Sequence, residues 1–375
     1  MLEHARDVDN PVMLINGDPN FTTPGHIIDA AAAAAHAGGT GYSPGDGLLS
    51  LREAVAAKLG RVNGIEVGAD RVCITTGACG GLYTTLMVLL DPGDELLIPD
   101  PGWSNYAAMV HVLNARPVAY QLRPDDGWSI DVDSIEASIT PRTRAILVNS
   151  PSNPTGGVES AESLRRVLEI ADRHDLWVIS DEAYDQLVFG GPSVSTASLG
   201  GDDRVISIFT FSKTYAMTGW RVGYVTGPAT FIRQLSLHQE PVVSCASTVS
   251  QHAALAALAG PQECVHDMVD AYRRRRDFAA EALTAGGVPF VMPHGAFFLM
   301  VDARATGMDS WEFALHLLRE AGVGTVPGAA FGAAGEGFLR LTLAASDELI
   351  DEGVARLTTA YRDMISSNGA ELHGV

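Results

Sequence analysis

Residues 204–227 read RVISIFTFSKTYAMTGWRVGYVTG. The run from Val205 to Phe209 is β-branched and apolar at nearly every position, and a second short run from Val222 to Val225 follows a turn containing Gly219. A strand that is apolar at consecutive positions is covered on both faces, the pattern of a sheet held between two layers of helices. At the mouth of that strand stand two cations, Lys213 and Arg221, eight residues apart in a chain otherwise poor in basic residues.

Working outward from this stretch, the same pattern recurs. RVCITT, DELLIP, ARPVAYQL, TRAILVNS and DLWVISD read as further strands, and helix-like segments such as GGLYTTLMVLL and SAESLRRVLEIADRH lie between them. Such alternation predicts an α/β fold with a mostly parallel central sheet and helices on both faces, whose ligand sits outside the carboxyl ends of the strands. After a long helical stretch at 250–286 the style changes to VPFVMP, GAFFLMVDA, WEFALHLLREAG, VGTVPG, GFLRLTLA and a final helix from Asp347, a smaller α+β domain. The expected division is a segment 1–40 packing with the small domain, a large domain 41–275 and a small domain 276–375.

Composition limits the functions available. The 45 acidic residues outweigh 25 basic ones, giving a formal charge of -20 that repels nucleic acid and anionic lipid. The one basic run, RRRR at 273–276, reads as a solvated helix face. Cys73, Cys79, Cys245 and Cys264 lack CxxC or zinc-type spacing and read as core thiols in a reducing compartment, and the 11 histidines form no metal motif. With no secretory leader pattern and no apolar run of spanning length, the expectation is a cytoplasmic protein without a metal site.

Polar residues gather at four strand ends. In RVCITTGACGGLYTTL, Gly77, Ala78 and Cys79 open a helix, whose backbone N–H groups suit a phosphate; a plain strand-to-helix turn explains them equally well. DLWVISDEAY delivers Asp181 and Tyr184, and a buried carboxylate needs a partner such as a ring N–H cation. AILVNSPSNPTGG places Asn153 in a turn before Pro154, as a donor to a ligand oxygen or as a self-satisfied Asn-Pro turn. Thr210, Lys213 and Arg221 complete the set. Pyridoxal phosphate would use all of these at once: a lysine to bond, a carboxylate for the pyridine nitrogen, donors for the ring hydroxyl and a helix start with Arg and hydroxyls for the phosphate.

The ordered motifs NGDPNFTTP, YSPGDGLLSLREAVA, NSPSNPTG, SDEAY, SKTYAMTGWRVG, GAFF, PGAAFG and GFLRLTLA resemble the fold-type I, class I/II aminotransferases over nearly the whole chain. The resemblance implies pyridoxal phosphate as cofactor, Lys213 as the lysine that bonds it, Asp181 as the pyridine-nitrogen partner, and Asn153 with Tyr184 at the ring hydroxyl. Gly77, Ala78, Cys79, Thr210 and Arg221 would hold the phosphate, with Tyr42 reaching in from the second subunit of a homodimer. Trp103, in DPGWSNY, matches the aromatic stacked on the ring, ordinary core packing being its alternative. Arg340, in FLRLTLA, matches the clamp for the substrate α-carboxylate, a task suited to a planar, permanently charged fork, with Gly17 assisting. A surface strand cation is the alternative, made less attractive by the apolar neighbours Leu339 and Leu341.

Two departures from the family pattern stand out. Sixteen residues precede Gly17, a short N-terminal arm, and Asn20 replaces the usual aspartate of the GxPDF stretch. ITPRTRAILVNSPSNPTGG, AYRRRRD and TGWRVGYVTGPA are similar to the arginine:pyruvate aminotransferase subgroup, which implies a guanidino-type amino acid and pyruvate working by ping-pong half-reactions. An aspartate or aromatic aminotransferase, a lyase or synthase using the same cofactor, and a regulatory protein with a retired domain share much of this pattern.

Overall fold

The computed structural model describes residues 1–372 apart from positions 2, 192 and 202, with side chains as far as residue 366. Eight strands form the main sheet, in the order Val72–Thr75, Gly223–Thr226, Val205–Thr210, Trp177–Asp181, Thr143–Asn149, Glu95–Asp100, Arg116–Arg123 and Ser129–Ile130. From Val205–Thr210 to Arg116–Arg123 the neighbours run parallel. Gly223–Thr226 opposes both of its neighbours, as Ser129–Ile130 opposes its one. The reversal at Gly223 has a simple cause. Between Thr210 and Gly223 lie only the single helical turn Phe211–Thr214 and the 3₁₀ turn Thr218–Trp220, neither long enough for the helical crossover that parallel strands require.

The all-buried strand Val205–Thr210 shows why the apolar run was needed. Ile206 and Ile208 pack with Leu82, Leu86 and Phe231 on one side, while Phe209 joins Leu51, Val55 and Tyr224 on the other. Each such side chain contributes about 1.5–3 kcal/mol by leaving water. A second sheet, Phe290–Val291, Phe298–Asp302, Phe338–Thr342 and Val326–Pro327, is antiparallel throughout and packs with the helices Ser310–Ala321 and Asp347–Leu372. A capping box between Asp309 and Glu312 starts the first of these helices.

The segment before residue 41 is divided between the two bodies. Val12–Met13 pairs with Val323–Gly324, but the helix Gly25–His36 lies along Thr248–Ala259 and shares a core with Leu51 and Phe209. The helical stretch at 250–286 is broken at Gly260 and Pro261, and its second part, Glu263–Gly286, runs unbroken through positions 275 and 276. That continuity corrects the reading of RRRR as a solvated face. Tyr272, Arg275 and Ala279 share the inward side of the helix, so Arg275 is buried. Its Nε donates to Asp347 at 2.6 Å and its Nη1 to Asn20 at 2.8 Å, while Arg276 lies over the Phe189 ring. The cysteines need a similar correction, since Cys73 is buried but Cys79, Cys245 and Cys264 are only partly covered.

No helix among the described residues is long and apolar enough to cross a membrane, and no cluster of metal-ligating side chains occurs among them.

Candidate active site

The carboxyl ends of the parallel strands open into a cavity of about 530 Å³. Lys213 reaches it from the turn that ends Val205–Thr210. The Thr210 hydroxyl caps that turn, accepting from the Ser212 N–H at 3.1 Å. The amine donates to the Gly17 carbonyl at 2.6 Å. Burial lowers its pKa to about 8; Arg221 and Arg340 push the same way, and Asp18 opposes them. Burial, rather than the neighbouring arginine, is thus the main cause of an activated amine.

Arg221 returns to the same place from the far side of the hairpin. It adopts left-handed backbone with φ 51°, and its Nη1 donates to the Thr218 carbonyl at 2.7 Å. The guanidinium lies beside the start of the helix Gly77–Leu89, where a Cβ on Gly77 would come within 3.0 Å of Nη2. Gly223 is equally constrained, since a Cβ there would meet the Ala78 nitrogen at 2.8 Å. Two glycines therefore let the helix start and the arginine close on one spot, and the positive end of the helix dipole and a fixed cation together make an anion cradle. Ala78 and Cys79 line the cavity there, and Gly77 stands behind them against Arg221.

Asp181 ends the strand Trp177–Asp181 and is buried. Its Oδ2 accepts from the Tyr106 hydroxyl at 2.7 Å and its Oδ1 from the Ala183 N–H at 3.1 Å. Burial raises its pKa against these two bonds, and none of the ion pairs among the described residues includes it. A buried carboxylate that faces the cavity and has two hydrogen-bond donors but no ion-pair partner among the described residues is suited to a ligand's protonated ring nitrogen. Tyr184, three residues on, is buried against the edges of Phe297 and Phe298 at 5.4 and 5.9 Å, and burial pushes its hydroxyl pKa upward. Trp103 lines the cavity and meets Tyr106 edge to face at 5.4 Å.

Arg340 comes from Phe338–Thr342 in the second sheet and is 7% exposed. Its Nη1 donates to Asn153 Oδ1 at 2.9 Å and its Nη2 to the Ile15 carbonyl at 2.8 Å, leaving Nε buried without a partner. The guanidinium is sandwiched between Phe298 at 4.4 Å and Phe331 at 4.8 Å, and burial lowers its pKa to about 10. Because Asn153 spends its oxygen on Arg340, its amide N–H groups remain to donate to a ligand.

Two expected residues do not line the cavity of their own chain: Gly77, which backs Arg221, and Tyr42, which is expected from a second subunit. Tyr42 is 90% exposed and does not line the pocket of its own chain. Conversely, Tyr106, Asn149, Asp18, Ser212 and Thr218 line it without having been singled out in the sequence. Tyr106 carried a usable signal, since it follows Trp103 at helical spacing in DPGWSNY. Asn149 holds the wall together: its Nδ2 donates to the Asp181 carbonyl at 3.0 Å and its Oδ1 accepts from Asn153 N–H at 3.0 Å.

The donor set fits pyridoxal phosphate: an amine, an unpaired carboxylate, an aromatic wall and an anion cradle that any side chain at Gly77 or Gly223 would crowd.

The family model for aminotransferase class I and II matches residues 10–357. An aspartate aminotransferase of Rhizobium meliloti is 37% identical over 93% of this chain and 89% of its own length. The arginine–pyruvate transaminase of Pseudomonas aeruginosa is 38% identical over 94% of this chain and 91% of its own. Among solved structures, an aspartate aminotransferase double mutant of Thermus thermophilus superposes with a TM-score of 0.91 at 37% identity, covering 96% of this chain and 94% of that one.

Proposed function

Because the chain belongs to the class I and II aminotransferases and so uses pyridoxal phosphate, we propose that it moves the amino group of a guanidino-type L-α-amino acid to a 2-oxo acid such as pyruvate. The observation that carries the substrate class is Asp18. It lines the cavity on the loop that also presents Gly17, and its charge acts on Lys213. The cavity's cations among the described residues are Lys213, Arg221 and Arg340, each with a role of its own, so a second carboxylate on the substrate would meet Asp18 without a counter-charge. A cationic side chain would meet attraction there. The similarity to an arginine–pyruvate transaminase supports the same reading.

The roles follow from the chemistry of each group. Arg340 and the Asn153 amide bind the substrate α-carboxylate, and the unpartnered Nε gives Arg340 a donor still to spend. Asp181 would hold the cofactor's ring nitrogen protonated, with Tyr106 fixing the carboxylate, and Tyr184 and Asn153 would donate to the ring hydroxyl. Ala78, Cys79, Thr210 and Arg221 would hold the phosphate, with Gly77 leaving room for them, and Trp103 would supply an aromatic wall for the ring. When bound, the cofactor supplies an electron sink for bond cleavage at Cα. Lys213 is its covalent attachment and, as the free amine, the base that takes the proton from Cα, a task matched to a pKa near working pH. The working unit is a homodimer in which Tyr42 enters the partner's cavity. The ring's 90% exposure, with Leu49, Leu237 and Val242 exposed as well, supports that arrangement.

The test is a panel of L-arginine, L-aspartate and L-phenylalanine with pyruvate, the 2-oxo acid product being measured for each. L-Arginine should exceed L-aspartate by at least about tenfold in kcat/KM. A preference for L-aspartate would overturn the substrate class, and Asp18→Asn should narrow the gap.

A further inference from the structure

Asp100 ends the strand Glu95–Asp100 and is 6% exposed, and no ion pair among the described residues includes it. A carboxylate in that position is costly unless something uses it. Its Oδ1 accepts from the Ala334 N–H at 3.0 Å, with the Ala333 N–H also directed at the carboxylate. Both donors begin the 3₁₀ turn Ala333–Gly335 on a loop attached to the second sheet. Two residues on, the Gly102 N–H donates to the Phe331 carbonyl at 2.8 Å. The strand end thus grips the loop at two points.

That loop is stiff. A Cβ on Gly328 would lie 1.9 Å from the Gly335 carbonyl oxygen, and one on Gly335 would lie 2.2 Å from that of Gly328, so the two ends are packed backbone to backbone. Gly332, at φ 130°, lets the carboxylate approach; a Cβ there would fall 2.1 Å from Asp100 Oδ1. Fastening one side of so closed a loop fixes the ring it carries, Phe331, which forms one face of the sandwich around the Arg340 guanidinium. The other face, Phe298, belongs to the strand paired with that of Arg340 and needs no outside support.

We infer that Asp100 is a positioning residue for the substrate carboxylate: by latching the 328–335 loop to the end of the main sheet, it holds Phe331 against Arg340 and sets the plane of the guanidinium. The inference rests on the reading of Arg340 as the carboxylate clamp. It adds a residue that touches neither substrate nor cofactor, and it ties the clamp on one sheet to the cofactor-side strand ends of the other. The latch needs an acceptor rather than a charge, because its partners are backbone N–H groups.

The probe is 2-methylalanine, which carries an α-amino and an α-carboxylate group but no Cα hydrogen, so that binding to the holoenzyme is read by calorimetry without turnover. Asp100→Ala should weaken it about tenfold, the scale of a lost desolvated cation–π face, while the cofactor's own dissociation constant stays within about twofold. Asp100→Asn, whose amide oxygen still accepts, should restore most of the affinity. Phe331→Leu keeps the latch and removes the ring, and should match Asp100→Ala; it also decides the matter should Asp100→Ala fail to fold. Unchanged probe affinity in Phe331→Leu, failure of Asp100→Asn to rescue, or parallel losses of cofactor and probe in Asp100→Ala would each overturn the inference. Arg340→Ala tests the underlying reading separately. If it binds the probe normally, the clamp lies elsewhere; if it weakens the probe while Asp100→Ala and Phe331→Leu do not, only the positioning role fails.

Discussion

The amine of Lys213 donates to the backbone carbonyl of Gly17, 2.6 Å away, and none of the ion pairs among the described residues includes it. A neutral carbonyl stabilises the ammonium less than an ion pair would, so burial prevails and the pKa settles at about 8.

In the cofactor-free chain, the reactivity of Lys213 toward an acylating reagent should therefore rise with a midpoint near pH 8, well below an ordinary lysine. The linked stability has a definite sign. The folded pKa lies below the unfolded one, so folding disfavours the protonated amine: stability carries the full penalty below pH 8 and recovers toward the unfolded pKa of 10.5. Lys213→Met should raise the urea midpoint of the cofactor-free chain at pH 7, with the gain shrinking at alkaline pH, and should abolish turnover of the reconstituted enzyme. No gain at pH 7 would contradict the burial argument, and multiple turnovers in the variant would contradict the catalytic one.

Asp181→Asn removes the carboxylate that waits for a ring cation. Cofactor binding should weaken by about 3–5 kcal/mol, the cost of breaking a buried pair. Tyr106→Phe should cost less, about 1.5–3 kcal/mol for one bond to a charged group. It should also shift the acid limb of cofactor binding upward, because Tyr106 opposes the raising of the Asp181 pKa. Equilibrium dialysis against the cofactor across pH 5–8 measures both.

Gly77→Ala should loosen the phosphate end of the cavity. The position has φ 74°, and the new methyl would press on the Arg221 guanidinium at 3.0 Å. Gly93→Ala provides the control, since Gly93 has φ 89° with nothing within 4 Å of its would-be Cβ. Both variants should lose about 1–3 kcal/mol of folding stability to backbone strain. Only Gly77→Ala should also weaken the cofactor; equal cofactor affinities would detach Gly77 from the cradle.

Tyr42→Ala and Lys213→Ala are each expected to be inactive for different reasons. Refolded together, they would form mixed dimers of the proposed kind, in which one cavity has an intact lysine and a partner tyrosine. Activity should return in the mixture and in neither parent alone. Its absence would place Tyr42 outside the partner's cavity.

Much of this site could be read from the chain because strand ends advertise themselves. The apolar runs that end at Asp181 and Thr210 fix where the sheet stops, and the polar residues that follow have no place to go but the cavity. Long-range partners were hidden. Nothing local in RRRR distinguishes Arg275 from its neighbours until Asn20 and Asp347 arrive from 255 and 72 residues away. The substitution of Asn for the usual aspartate at position 20 likewise gains a contact only in three dimensions, as an acceptor for that buried arginine. The direction of the strand Gly223–Thr226 was not legible for a different reason: composition reports that a strand is buried but not which way it runs, which the missing crossover decides.

Glu263–Gly286 is a single unbroken helix. Its 24 residues make a rod about 36 Å long, and a tilt of roughly 5° about one end displaces the other by roughly 3 Å. Arg275, moored to Asn20 on the substrate-side loop and to Asp347 at the head of the last helix, sits near the middle of that rod. One side chain thereby ties the middle of that rod to the loop carrying Gly17 and Asp18 and to the head of the last helix.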